Sequence, residues 1–379
     1  MLTPRYGERS LADLMPSVLA GLGVPGERDV LGLDLAGVRQ VCVLLVDGLG
    51  ALLLRAHQAA APFLSTALGP QITAGFPSTT AASLGSLGTG LPPGEHGLVG
   101  YLLAVDGYDR PMNPLLWRLH GPGDHVDLVK TVVPEVFQPA PTTFERAVAD
   151  GIEVVRVGPR YQQKSGLTRA VLRGGDFRPA VSYGDLAAET IAAMAGDRTL
   201  VYAYHGDLDL TGHVRGPSSA GWRAELAHVD QIARDIAEGL PPGGVLIVTA
   251  DHGMVEVGSS IDIDADAELQ DGVRIIGGEP RARHLYAEDG AAQDVYDLWR
   301  ERLGDEYGVY RKAELVEDGW FGPTITSASY DRIGDVIAIA LTDGALFRSG
   351  AEPMQSSLKG HHGSLTEDEL LVPLLVFRR

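Results

Sequence analysis

The 379-residue chain predicts a three-layer α/β sandwich: a mostly parallel central sheet with helices on both faces, and a small α+β cap at residues 258–330 inserted into a core formed by 1–257 and 331–379. Two observations carry that prediction. Short, almost wholly apolar, β-branched runs at 41–46, 200–204 and 245–250 fit strands covered on both faces, as parallel sheets require. Stretches with helical spacing at 185–194 and 221–238 alternate with them. The second links the run at 200–204 to the one at 245–250 as a βαβ crossover.

The remaining elements follow in chain order. Leu11, Leu14, Val18 and Leu22 form a helical stripe in a lead-in over 1–38, and a stripe of that kind faces a core. In the segment 75–97, Pro77 ends an extended stretch and Ser78 is placed to cap a helix of small residues from Thr79 to Leu87, closed by the glycines at 88–90. The proline-rich region 101–180 holds short apolar runs at 126–129 and 153–157, and the second reads as a further core strand. Alternating segments at 273–276 and 309–312 predict strands in the cap. The acid-rich stretch Asp262–Asp266 lacks the turn glycine and terminal glutamate of a calcium loop, so it reads as a solvated loop. A last apolar run, 370–377, is a strand whose Pro373 marks an edge or a bulge.

Composition narrows the function classes. A hydrophobic content of 45% fits a globular protein, and a net charge of −19 argues against nucleic-acid or anionic-membrane partners, which need a basic surface. The lone cysteine, Cys42, sits inside a predicted buried strand, so neither a disulfide framework nor a thiolate metal site is expected. Residues 1–26 contain charges and no apolar signal-peptide core, and no apolar stretch reaches transmembrane length. A cytoplasmic location is the expectation.

Chemistry concentrates where these runs end. The first delivers Asp47-Gly48, the second leads into His205, Asp207, Asp209 and His213, and the third ends in Asp251-His252-Gly253. Carboxyl ends of parallel strands are where loops converge and ligands bind. Asp209 and His213 are four apart, one helical turn. His362 follows in a Gly-His-His-Gly loop. Carboxylates mixed with imidazoles suit zinc, whereas carboxylates alone lean toward magnesium or manganese. Two such ions about 4 Å apart clamp a phosphoryl group. Ser78, Thr79 and Thr80 cluster hydroxyls at a predicted helix N-terminus, where free N–H groups and the dipole favour a phosphate. Each piece has a plainer counterpart, since Asp-Gly also closes ordinary turns and a run of small residues also packs on a sheet. Their occurrence together and in this order is what points to a two-metal hydrolytic site.

Asp47-Gly48, Phe76-Pro77-Ser78-Thr79-Thr80 with Thr89-Gly90-Leu91 and His96-Gly97 behind it, Asp209 with Gly212-His213, Asp251-His252-Gly253-Met254 and His362-Gly363 together resemble the alkaline phosphatase superfamily. Within it they are most similar to the nucleotide pyrophosphatase/phosphodiesterase branch. The resemblance implies that Thr80 is the nucleophile, that one zinc is held by Asp47, Thr80, Asp251 and His252, and that the other is held by Asp209, His213 and His362. It also implies a phospho-threonine enzyme and a small phosphate-ester substrate. Ser83 stands where the branch carries an Asn for the phosphate oxygen, and Thr79 replaces a Lys or Leu. These departures leave the metal set intact and bear on substrate choice. The alternative expectation is a metal-dependent phosphomutase or phosphomonoesterase of the same superfamily, the mutases favouring manganese and a Ser nucleophile. Sulfatase chemistry is disfavoured, because no Cys lies at 75–90.

Overall fold

A computed structural model describes residues 2–379. Strands β1 (Gln40–Val46), β2 (Glu153–Pro159), β3 (Asp176–Ala180), β4 (Thr199–His205), β5 (Val245–Thr249) and β10 (Leu375–Arg378) make a six-stranded central sheet in the order β10-β5-β1-β4-β2-β3. All neighbours are parallel except β10, which pairs antiparallel with β5 at the edge. Pro373 separates this edge strand from the short pair that Leu371–Val372 makes with Ile72–Thr73. The fold class expected from the apolar runs is the one observed.

Burial explains the pattern. Residues 41 to 46 of β1 and all of β4 and β5 are buried, so both faces of these strands are largely apolar, with the polar residues Thr199, His205 and Thr249 at their ends. Each fully buried aliphatic side chain contributes roughly 1.5–3 kcal/mol. Cys42 is one of these core residues, and burial pushes its thiol well above the usual range. Helices α1 (Leu14–Gly21), α2 (Thr80–Thr89), α3 (Tyr183–Ala193), α4 (Asp207–Arg215) and α5 (Ala220–Gly239) belong to this layer system. The amphipathic α5 places Trp222, Leu226, Val229, Ile232, Ala233 and Ile236 inward. Among the described residues no helix is long and apolar enough to cross a membrane.

A second, antiparallel sheet runs β6 (Val273–Glu279), β7 (Ala282–Ala287), β9 (Val336–Ala340), β8 (Tyr307–Arg311) in spatial order. It has its own core with helix α6 (Ala292–Leu303), in which Trp299 is buried and donates its indole N–H to the Leu269 carbonyl at 2.9 Å. Strand β9 and Leu346 belong to this core, so the small sheet draws on residues beyond 330. The reason is that β7 needs a partner on both edges, and the strand that fills the second edge comes later in the chain. Two buried ion pairs fasten it. Arg281 meets Glu369 through two hydrogen bonds of 2.6 and 2.7 Å, and Arg283 meets Glu352 at 2.9 and 3.2 Å. The acid-rich stretch differs from the solvated loop expected. Asp264 pairs with Arg348 and accepts the N–H groups of Gly350 and Ala351, while Asp262 accepts from Ser349, so these carboxylates organise a neighbouring turn.

Candidate active site and metal centre

Adjacent parallel strands β5, β1 and β4 end together, and their register brings Leu45 beside Thr249 and Val46 beside His205. Asp47, one residue past β1, is 3% exposed, and its N–H donates to the His205 carbonyl at 2.9 Å. Gly48 follows with φ +73°, and a Cβ there would lie 2.9 Å from the Asp209 carboxylate oxygen. Glycine is thus required both for the turn and for the approach of Asp209. Asp251 and His252 leave β5 fully buried. Helix α4 presents Asp209 and His213 on one face, with His213 Nε2 3.3 Å from Asp209 Oδ2.

Thr80 is the first residue of α2. Its hydroxyl lies 3.1 Å from His252 Nε2. The N-cap is Thr79, in extended conformation, and not Ser78 as expected. Ser78 instead donates its hydroxyl to the Ser364 carbonyl at 2.6 Å and accepts the Gly363 N–H at 3.1 Å. That lock holds the His362 loop against the start of α2. Gly363, at φ +131°, leaves room where a Cβ would meet Glu279 at 2.6 Å.

All three imidazoles are oriented alike. His213 Nδ1 bonds the Gly360 carbonyl at 2.7 Å, His252 Nδ1 that of Gly253 at 2.9 Å, and His362 Nδ1 that of Ser78 at 2.8 Å. A carbonyl only accepts, so each Nδ1 carries a proton, and in the neutral ring this leaves the Nε2 lone pair facing the cluster. The His252 and His362 rings stack with centroids 3.6 Å apart. His361 turns elsewhere, against the Phe347 ring, and burial pushes its imidazole down to about 3, with His213 adding to the effect.

The carboxylates are conspicuously short of partners. Asp47 Oδ1, Asp209 Oδ1 and Asp251 Oδ2 are buried and accept no hydrogen bond. Burial pushes Asp47 well above the usual carboxylate range, and the charges of Asp251 and Asp209 push it further, against the Tyr204 hydroxyl bonded to its other oxygen. Burial raises Asp251 too, opposed by His252 and reinforced by Asp209. Burial also penalises ionised Asp209, but His213, His362 and His252 outweigh it and hold that carboxyl below the usual range. Three packed acids with unpartnered oxygens are what a divalent cation would relieve. Donor atoms of Asp47, Asp251 and His252 lie within 4.8 Å of one another, and so do those of Asp209, His252 and His362. The residues therefore fit ions of the zinc class. His252 stands between both groups, and His213 reaches the second through Asp209.

Ser83, one turn along α2, is fully buried with an unpartnered hydroxyl. His96 is structural: its ring lies against Gly85, where a Cβ would sit 2.5 Å from it, and it meets Ser86 at 3.2 Å. Two site neighbours escaped the sequence reading. Tyr204 donates to Asp47 Oδ2, and Glu279, at the end of β6, lies 4.0 Å from His362. Burial pushes the Glu279 carboxyl up to about 8. The only sequence sign of either was a polar group at the end of an apolar strand.

Several known proteins are similar to this chain. A phosphopentomutase from Anaeromyxobacter dehalogenans is 32% identical over 180 residues, 45% of this chain and 42% of that protein. Another from Anaeromyxobacter sp. strain K is 35% identical over 180 residues and 43% of its length. The chain thus matches less than half the length of these relatives. Murine ectonucleotide pyrophosphatase/phosphodiesterase 5 has the same fold, with a TM-score of 0.67 at 20% identity over 88% of this chain and 87% of that one. The human counterpart gives 0.64 at 18% identity, covering 89% and 87%. The model of the type I phosphodiesterase/nucleotide pyrophosphatase family matches residues 41–365. The chain belongs to that family, a group of phosphoryl-transfer enzymes within the alkaline phosphatase superfamily.

Proposed function

We propose that this protein hydrolyses phosphate diesters through Thr80 at a two-zinc centre, with Asp47, Asp251, His252 and Thr80 around one ion and Asp209, His213 and His362 around the other. The observation that supports it is the convergence of three unpartnered carboxylate oxygens and three Nε2 lone pairs beside a hydroxyl at a helix start. When bound, the ions would offset the carboxylate charge and stabilise negative charge on the phosphoryl and threonine oxygens. Thr80 gives its hydroxyl proton to solvent, its Oγ attacks phosphorus, a new Oγ–P bond forms, and the bond to the leaving oxygen breaks with its electron pair. Water then attacks the same phosphorus and frees the threonine. N–H groups in the first turn of α2 face the incoming anion. Ser83 is assigned to the substrate side of this helix as a donor shorter than Asn.

A panel of aryl phosphate diesters, monoesters, phosphonates and sulfates, assayed with zinc and with manganese, tests the reading. Diester turnover with zinc is expected, and monoester turnover without diester turnover would contradict it. The second reading is a mutase, favoured by the phosphopentomutase relatives. It is separated by incubating the protein with pentose monophosphates: a mutase returns the phosphoryl group to the sugar, whereas a hydrolase releases it to water.

A further inference from the structure

We propose that His205, Asp207 and Glu225, with His228 beside them, form a third cation site of the zinc class, separate from the cluster around Thr80. Alternation along β4 sends Tyr204 toward Asp47 and its neighbour His205 to the opposite face, against α5. There His205 is 5% exposed, and its Nε2 lies 3.0 Å from Glu225 Oε1. Donor atoms of His205, Asp207 and Glu225 all lie within 4.8 Å of one another. The other oxygen of Glu225 meets His228 Nδ1 at 3.3 Å, one turn along α5. Tyr183 stacks on the His228 ring, centroids 4.9 Å apart and planes 7° from parallel, which fixes that imidazole although it is half exposed.

The chemistry of the set selects the ion. One imidazole with two carboxylates, backed by His228 on the other oxygen of Glu225, forms a mixed nitrogen and oxygen set, which suits zinc and its neighbours, whereas calcium or magnesium would call for oxygen donors alone. Among the described residues, neither Asp207 nor Glu225 forms an ion pair with a lysine or arginine, and Glu225 meets the imidazoles of His205 and His228. A dication would sit where His205 Nε2 now meets Glu225 Oε1. The ion would join the end of β4, the first residue of α4 and the middle of α5. Helix α4 is the element that carries Asp209 and His213, and only Leu208 and Gly212 of its residues are buried. The third ion therefore acts as a clamp on the helix that presents part of the principal site.

Metal content decides the matter. The full chain is stripped with chelator, equilibrated with zinc, and assayed for zinc per chain by atomic emission, beside the Asp207→Asn/Glu225→Gln variant. The variant is expected to bind one equivalent fewer. Asp207 and His228 are exposed enough for substitution without unfolding, and Asp207→Asn or His228→Ala alone should weaken that equivalent about tenfold or more. Equal zinc content and equal affinities in wild type and all variants would overturn the proposal. Because the readout is a difference between two proteins, it is independent of how many ions the Thr80 cluster holds and of which ester is cleaved.

Discussion

Two regions of this molecule bury charge, and they do so in opposite ways. Behind the small sheet, Arg281 with Glu369 and Arg283 with Glu352 are almost wholly buried, and each carboxylate faces a guanidinium through two hydrogen bonds. Around Thr80, Asp47 and Asp251 are buried and Asp209 is nearly so, yet an oxygen of each has no partner, and among the described residues no lysine or arginine pairs with them. Removing one member of a satisfied pair leaves an uncompensated charge. Removing one member of the unsatisfied group relieves repulsion and costs only the ligand that group awaits. The first arrangement holds the fold together, and the second is kept under strain for chemistry.

The largest expected effect follows from the nucleophile. Thr80→Ala should lower diester turnover by about a thousandfold or more while leaving zinc content unchanged, as steady-state rates and metal analysis would show. A variant that kept its rate while Thr79→Ala or Ser78→Ala lost it would move the nucleophile to another residue. Next, Glu369→Gln should cost about 3–5 kcal/mol of stability, read as a lower midpoint in urea unfolding, because Arg281 would stay buried without its counter-charge. The contrasting substitution is Asp251→Asn. In the metal-free protein it should raise the thermal midpoint, and it should also remove the part of the zinc-induced stabilisation that belongs to the ion it ligates, about 2.7 kcal/mol at a hundredfold excess over Kd.

Glu279 sharpens the same comparison through pH. Its folded value of about 8 lies above the ordinary carboxylate value, so the folded state binds more protons than the unfolded state between those limits. Stability of the metal-free protein should therefore fall as pH rises from the ordinary carboxylate range toward 8. Glu279→Gln should flatten that slope in pH-dependent urea melts, and an unchanged slope would remove Glu279 from the account. The smallest effect is expected at Ser83, where Ser83→Ala should reduce kcat/KM less than about tenfold, the scale of a single neutral hydrogen bond.

The sheet was legible because buried parallel strands leave a local mark: apolar runs ending in Asp47, Asp251 and the approach to Asp209. The Asp209 and His213 pair was legible as a helical turn. What escaped notice lies in contacts between distant parts of the chain. Ser78 has the profile of an N-cap, but its hydroxyl partner is the Ser364 carbonyl, 286 residues away, and nothing near residue 78 records that. The small sheet extends past residue 330 because β9 completes β7 from a distance. Glu279 joins the site only because a hairpin of that sheet ends beside His362.

If the unpartnered oxygens beside Thr80 await metal ions, zinc-edge anomalous diffraction from zinc-loaded crystals will locate them. Two peaks roughly 4 Å apart are expected beside the Thr80 hydroxyl. One should be ligated by Asp47, Asp251 and His252, and the other by Asp209, His213 and His362. Absence of anomalous density between these residues, or peaks ligated by His361 or Asp207 in their place beside Thr80, would contradict it.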